Sequence, residues 1–249
     1  MIPKKIFQTH LTKNIPPNSR KHIDRLRELN YDYEYIYHDD EDMERYIYDN
    51  FDINVFKALQ RIKPGAGKAD IWRLAVLYRE GGVYIDFDRI MHDDTPPLRE
   101  LLEDNDEFVH GRNWHVFGYN APSPNSFLVA RAKHPIIKNT LDSIVNSVNN
   151  KEPLLTIGHR NFFPDGKSVL VGELEPYTGT PHLWKALSDY IGIVDLHEKA
   201  PDWIREGKRS CGIRITNSVE CYFMQNNEYG TDHVTMGGSH WSAQKVFNY

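Results

Sequence analysis

Residues 68–89 read KADIWRLAVLYREGGVYIDFDR, and no other stretch of the chain restricts its fold so tightly. Ile71, Leu74, Ala75 and Tyr78 recur at helical spacing and predict an apolar stripe, while Asp70, Arg73 and Leu77 share a different face. Pro64-Gly65-Ala66-Gly67 is a flexible entry to that helix. Gly81-Gly82 is its natural stop, because glycine reaches the left-handed conformation without a Cβ penalty. Val83-Tyr84-Ile85 then predicts a strand, closed by Asp86-Phe87-Asp88. A helix that reverses at once into an apolar strand ending in two carboxylates is a strong local constraint.

The residues before this stretch have a matching rhythm. Residues 4–8 predict a short strand with a polar end at Gln8-Thr9-His10. Pro16-Pro17-Asn18-Ser19 is a loop that supplies a cap to a helix carrying Ile23, Leu26 and Leu29, with Asn30 as its stop. Residues 31–37 predict a second strand. Asp39 or Asp40 can cap a helix over 41–48, and 51–62 predicts another, with Val55, Phe56 and Leu59 on one side. Strand, helix, strand and helix in this order predict an α/β sheet with crossover connections. Ligands in such sheets sit beyond the carboxyl ends of the strands, which directs attention to Gln8-Thr9-His10 and Asp86-Phe87-Asp88.

Downstream, a short helix follows Pro96-Pro97 through Leu102, and strands are expected over 107–116 and 125–130. His134-Pro135 opens a helix to about Val148. Tyr177-Thr178-Gly179-Thr180-Pro181 is a loop opening a helix around 183–187, and 192–196 predicts a strand. Residues 149–172 and 198–232 give no ordered reading, and 233–241 is a Gly-rich polar loop. The 249 residues contain no internal repeat or low-complexity linker, so one elaborated domain over 1–249 is expected.

Bulk properties exclude several classes. A hydrophobic share of 40%, a charged share of 26% and a net charge of −5 suit a globular protein and argue against a general nucleic-acid binder. No run approaches the ~18 apolar residues of a membrane span. The start MIPKKIFQTH has no secretory pattern, so a cytoplasmic protein, or one peripheral to a membrane, is expected. Cys211 and Cys221 form no CxxC motif; buried small apolar residues are expected, with a redox or metal pair as the alternative.

On a strand, Asp86 and Asp88 project to one side, because side chains alternate with period two. Two such carboxylates repel unless a cation or donor group neutralises them, and oxygen ligands of this kind suit Mg²⁺ or Mn²⁺. The alternative is a solvated turn. Asp70 and Arg73, three apart on a helix, are either a surface ion pair or a pair in which Asp70 accepts sugar hydroxyls and Arg73 donates to a sugar or phosphate oxygen.

IPKKIFQTH together with KADIWRLAVLYREGGVYIDFD resembles glycosyltransferase family 32, which includes fungal-type mannosyltransferases and bacterial capsule enzymes and is similar in its active site to large glucosylating toxins. The resemblance extends to YEYIYHDD (33–40), NSFLVARAKHP (125–135), Tyr177-Thr178-Gly179-Thr180-Pro181, which approximates a Thr-Gly-Pro turn, and Gly238-Ser239-His240-Trp241, close to a Gly-Ser-Trp ending.

What the resemblance implies is a GT-A-like nucleotide-sugar-binding fold, with a mostly parallel central sheet flanked by helices. It implies a metal-dependent, retaining transfer of a hexose from a nucleoside-diphosphate sugar, UDP favoured and GDP-mannose possible, to a saccharide or glycoconjugate. Asp88 becomes the direct Mn²⁺ or Mg²⁺ ligand, and Asp86 bonds ribose or metal through water. Asp70 and Arg73 bind the sugar, Tyr84 precedes the carboxylates, Gln8 and Thr9 lie near the nucleotide, and Asn125 lines the donor pocket. His233 or His240, with Ser239, completes the metal site, and Trp241 contacts the leaving phosphate. The competing readings are an inactive carbohydrate- or nucleotide-binding module and a metal-dependent phosphohydrolase.

Overall fold

The computed structural model describes residues 1–91, 94–111, 125–154, 174–192, 202, 208–216, 223–225 and 246–247. In chain order these form β1 (Lys5–Thr9), α1 (Pro17–Leu29), β2 (Glu34–His38), α2 (Asp40–Asn50), α3 (Ile53–Arg61), α4 (Gly65–Glu80), β3 (Gly82–Ile85) and β4 (Arg89–Met91). They continue with α5 (Leu98–Leu101), β5 (Phe108–Gly111), β6 (Phe127–Ala130), α6 (Pro135–Asn150), α7 (Glu175–Thr178), α8 (Thr180–Ile191), β7 (Arg209–Ser210), β8 (Ile213–Thr216) and β9 (Phe223–Gln225).

Among the described residues seven strands form one sheet in the order β2-β1-β3-β6-β5-β8-β7, and β4 pairs with β9 apart from it. β1 is parallel to both β2 and β3, and β5 is parallel to β8; β6 is antiparallel to β3 and β5, and β7 to β8. Strand direction is therefore mostly shared, as expected, with β6 and β7 reversed.

The period-two alternation of the strands sorts side chains onto two faces. Phe7, Tyr84, Leu128, Phe108 and Ile213 join α2, α3, α4, α6 and α8 in one core. Ile6, Val83, Ile85, Val129 and Val109 pack on the other face with Leu26 of α1 and Leu98 of α5. Helix α4 runs between sheet and helices, and every residue from Asp70 to Leu77 is buried, so the expected one-sided stripe is in fact a helix enclosed all round.

Several local expectations are corrected by the chemistry of the ends. α1 starts at Pro17, whose missing N–H is no loss in a first turn, so Ser19 lies inside the helix rather than at its cap position. The second strand starts later than expected, because Tyr33 N–H turns back to Asn30 O at 2.9 Å. Asp39 and Asp52 cap α2 and α3 by accepting from Asp42 N and Asn54 N. Gly192 takes a left-handed φ of 73° and caps α8, where a strand was expected to begin; 193–196 and 112–116 lie outside the described residues. Cys211 is exposed on a tight turn at φ 49°, not buried, and Cys221 lies outside the described residues.

The turn between α4 and β3 depends on two glycines. Gly81 has φ +67°, and a Cβ there would stand 2.5 Å from Ala132 N; Gly82 has φ +120°, and its Cβ would stand 2.7 Å from Lys5 O. Gly82→Ala should cost about 1–3 kcal/mol, read as a lower Tm in thermal denaturation. Gly65→Ala, whose Cβ would meet nothing within 4 Å, should leave the Tm unchanged or raise it.

His134 caps α6, its Nδ1 accepting from Ile136 N at 3.2 Å, and stacks on Phe108 with ring centroids 5.4 Å apart. Burial, and then the nearby Arg131, pushes its pKa down to about 4. The unfolded chain takes up this proton near pH 6.5 and the folded one does not, so stability present above that pH is lost as the pH falls toward 4. His134→Asn, which keeps a cap but loses the stacked ring, should be less stable at neutral pH. In denaturant titrations that gap should narrow between about pH 6.5 and 4.

Candidate active site

β1 and β3 run in parallel, so Gln8 and Asp86 arrive at the same end of neighbouring interior strands. Because β6 runs the opposite way, it begins there rather than ends there, and Asp86 N–H donates to Ser126 O at 2.8 Å beside Asn125. Asp70 and Arg73 enter from α4, one helical turn apart. The structure thus brings Gln8, Asp70, Arg73, Tyr84, Asp86, Asp88 and Asn125 to one place.

Arg73 organises the group. Nη1 donates to Asn125 O at 2.5 Å, Nε to Ala69 O at 3.3 Å, and Nη2 lies 3.3 Å from Asp70 Oδ1 and 3.2 Å from Asp86 Oδ1. Its Cζ stands 4.5 Å from the centroid of the Tyr84 ring, a cation–π contact. The Arg73 and Asp70 side chains are only 6% and 11% exposed, so the surface ion-pair reading does not hold. Burial works against the guanidinium's charge, but Asp86, Tyr84 and Asp70 outweigh it and raise the pKa.

Asp70 Oδ1 also accepts from Asn125 Nδ2 at 2.9 Å, and Oδ2 accepts from Thr178 Oγ1 at 2.8 Å. Burial raises the Asp70 pKa to about 6 even though Arg73, Thr178 and Asn125 oppose it. Asp86 Oδ1 accepts a further bond from Tyr84 OH at 2.6 Å. Gln8 Nε2 donates to the backbone oxygen of Asp86 at 3.2 Å, and Tyr35 OH donates to Gln8 Oε1 at 2.8 Å. Gln8 is therefore buried beneath Asp86, while Thr9 is buried with its hydroxyl on His38 O at 2.8 Å.

β3 ends at Ile85, so strand alternation does not govern Asp86 and Asp88 as expected. Phe87 and Asp88 lie in a turn closed by Arg89 N–H on Asp86 O at 3.1 Å, with Phe87 stacked on His10 at 4.6 Å. Burial and then the charge of Asp86 push the Asp88 pKa up to about 6. A carboxylate pair whose mutual repulsion Arg73 and Arg89 offset only in part fits a hard divalent cation, which takes oxygen ligands and retains positions for water or substrate. Among the described residues no group of three or more His, Cys, Asp or Glu side chains is arranged to hold a metal, so protein ligands beyond this pair would come from elsewhere. His233, Ser239, His240 and Trp241 lie outside the described residues.

Thr178 and Tyr35 were missed as site residues by sequence reasoning. Tyr35 sits on a predicted strand whose alternation could have placed it beside Gln8; Thr178 had only its Thr-Gly turn as a signal. Asp88→Asn removes a carboxylate that binds its proton more tightly folded than unfolded. In the wild type, ionising it costs stability at pH values above about 6 and no longer does near pH 4. Without added metal, the Asn variant should therefore have the higher Tm at pH 7.5 and lose that advantage near pH 4.

Residues 16–107 match the family model described as a glycosyltransferase sugar-binding region containing DXD motif. A protein of Acanthamoeba polyphaga mimivirus, described as uncharacterized glycosyltransferase L373, is 29% identical over 92 residues, 36% of this chain and 37% of that protein. The match thus spans little more than a third of the relative's length. Among solved structures, the ligand-free glycosyltransferase domain of the YGT toxin aligns with a TM-score of 0.50 at 11% identity, over 96% of this chain and 86% of that one, and shows the fold. The PaToxG glycosyltransferase aligns with a TM-score of 0.49 at 21% identity, over 77% of this chain and 70% of that one. The fold is of the GT-A type, and residues 16–107, which hold Asp70, Arg73, Asp86 and Asp88, are similar to a glycosyltransferase sugar-binding region of the DXD type.

Proposed function

We propose that the protein is a metal-dependent, retaining glycosyltransferase that moves a hexose from a nucleoside-diphosphate sugar, UDP-linked in preference to GDP-mannose, to a saccharide or glycoconjugate. The observation that carries this reading is the buried Asp70–Arg73 pair joined to the half-buried Asp86 beside Asp88, inside the segment that matches a sugar-binding region.

Asp86 and Asp88 would hold Mn²⁺ or Mg²⁺, and such a cation supplies Lewis-acid stabilisation of negative charge on the departing diphosphate. The other roles belong to the chain. Arg73 is fixed by four acceptors and the Tyr84 ring, so it needs no reorganisation to donate to a sugar or phosphate oxygen as charge develops. Asp70 and the Asn125 amide border the sugar, and Gln8 keeps the Asp86 backbone in register. Trp241 is assigned to the leaving phosphate, and Ser239 with His233 or His240 to the cation. With no dedicated base among the described residues, the departing phosphate takes the acceptor proton on the face it leaves, which retains anomeric configuration.

A thermal-shift screen of UDP- and GDP-sugars with and without Mn²⁺ should give the largest rise in Tm for the true donor, because ligand binding stabilises the native state. That metal-dependent rise should fade as the pH falls through about 6, where Asp88 takes up a proton. Asp88→Ala should abolish both transfer and metal-dependent donor hydrolysis; wild-type rates in that variant would sink the assignment. A wild type that binds UDP without ever hydrolysing a UDP-sugar would be a binding module. Rapid phosphate release from simple esters would make it a phosphohydrolase.

A further inference from the structure

Thr178 is completely buried, and its hydroxyl donates to Asp70 Oδ2 across 108 positions of sequence. The approach is built into two helices. One turn before Asp70 on α4 is Gly67, where a Cβ would stand 2.8 Å from Leu174 Cδ1; one turn after Leu174 is Thr178, whose N–H bonds Leu174 O at 3.2 Å. Gly67 against Leu174 and Asp70 against Thr178 are thus two contacts that ascend α4 and the 174–178 segment together. The bare backbone at Gly67 leaves room for the Leu174 side chain beside α4.

The bond has a consequence for the other oxygen. Asp70 Oδ1 is shared by Asn125 Nδ2 and Arg73 Nη2, and Arg73 Nη2 is also on Asp86. A buried carboxylate oxygen left without a donor bears the full loss of its hydration. Deprived of Thr178, Asp70 would rotate to share its remaining donors or take up a proton. Either change removes Oδ1 from Asn125 and Arg73.

We propose that Thr178 is a positioning residue of the donor site, its hydroxyl fixing the Asp70 carboxylate so that Asn125 and Arg73 face the sugar. This rests on the donor-site reading above. In this role the Thr-Gly turn at 178–179 fastens the helical unit of α7 and α8 to the sugar end of the site.

Thr178→Val keeps the volume and removes the donor, and Thr178→Ser keeps the donor. With the preferred sugar nucleotide and Mn²⁺, the Val variant should lose about tenfold or more in kcat/KM, the size expected for one buried hydrogen bond to a charged group. Affinity for UDP alone, which lacks the sugar, should change little, and the Ser variant should return to within about threefold of wild type. Should the Val variant fail to fold, Thr178→Ala paired with Thr178→Ser gives the same comparison.

A second readout needs no activity. Hydrogen exchange of the Asn125 side-chain amide, assigned by its loss in Asn125→Asp, should quicken in the Val variant and not in the Ser variant. Wild-type kinetics together with unchanged Asn125 exchange in the Val variant would overturn the proposal, as would a Ser variant as impaired as the Val. If the wild type handled no sugar nucleotide, the donor reading would fall, and the exchange comparison alone would still decide the role of Thr178.

Discussion

An arginine at 5% exposure is the feature on which the rest of this structure depends. Burying a permanent charge costs several kcal/mol unless neighbours replace its hydration, and removing one partner of such a group leaves the others uncompensated. Arg73 is satisfied by groups from four places: Asp70 and Ala69 on its own helix, Asp86 past the end of β3, the carbonyl of Asn125 ahead of β6, and the ring of Tyr84. Those partners can meet only if α4, β3 and β6 stand in one register. The same contacts that make burial of Arg73 tolerable therefore hold the candidate site together.

Helix and strand geometry explains why the register comes out right. From Glu80 back to Arg73 the helix rises roughly 10 Å, at 1.5 Å per residue. From Gly82 to Asp86 the strand advances about 13 Å, at 3.3 Å per residue. Folded back on each other at Gly81-Gly82, the two segments put Arg73 and Asp86 nearly level, with Asp70 one turn further along. A longer turn or a side chain at either glycine would misalign the pair, because Gly82 already lies against the Lys5 carbonyl of the next strand. This is why a helix, two glycines and a strand ending in Asp-Phe-Asp carried so much information.

What sequence reading conveyed follows the same division. The α4–β3 unit, the Asp39 cap and the apolar strands depend on neighbours in sequence and were legible as such. The burial of the Asp70 and Arg73 face was not, since amphipathic spacing assumes that one side of a helix meets water, and α4 has sheet on one side and helices on the others. The Thr178 bond and the pairing of β4 with β9 depend on residues more than a hundred positions apart, for which a single sequence offers no periodicity. Asp86 and Asp88 show the limit of a correct pattern: the residues are adjacent in effect, but in a turn rather than along a strand.

The charge distribution gives the donor reading its physical direction. Asp70, Asp86 and Asp88 outnumber the guanidinium they face and Arg89 alongside, and burial raises the pKa of Asp70 and Asp88 to about 6. A diphosphate is itself an anion and would be repelled by such a site if it came alone. Positive charge must arrive with it, and oxygen ligands that repel each other favour a hard divalent cation over a further organic one. Arg73 can donate a hydrogen bond there but does not supply that charge, its own being already divided between Asp70 and Asp86. On the donor reading, then, the repulsion left between Asp86 and Asp88 is an unfavourable feature of the free protein that becomes favourable when cation and diphosphate enter together.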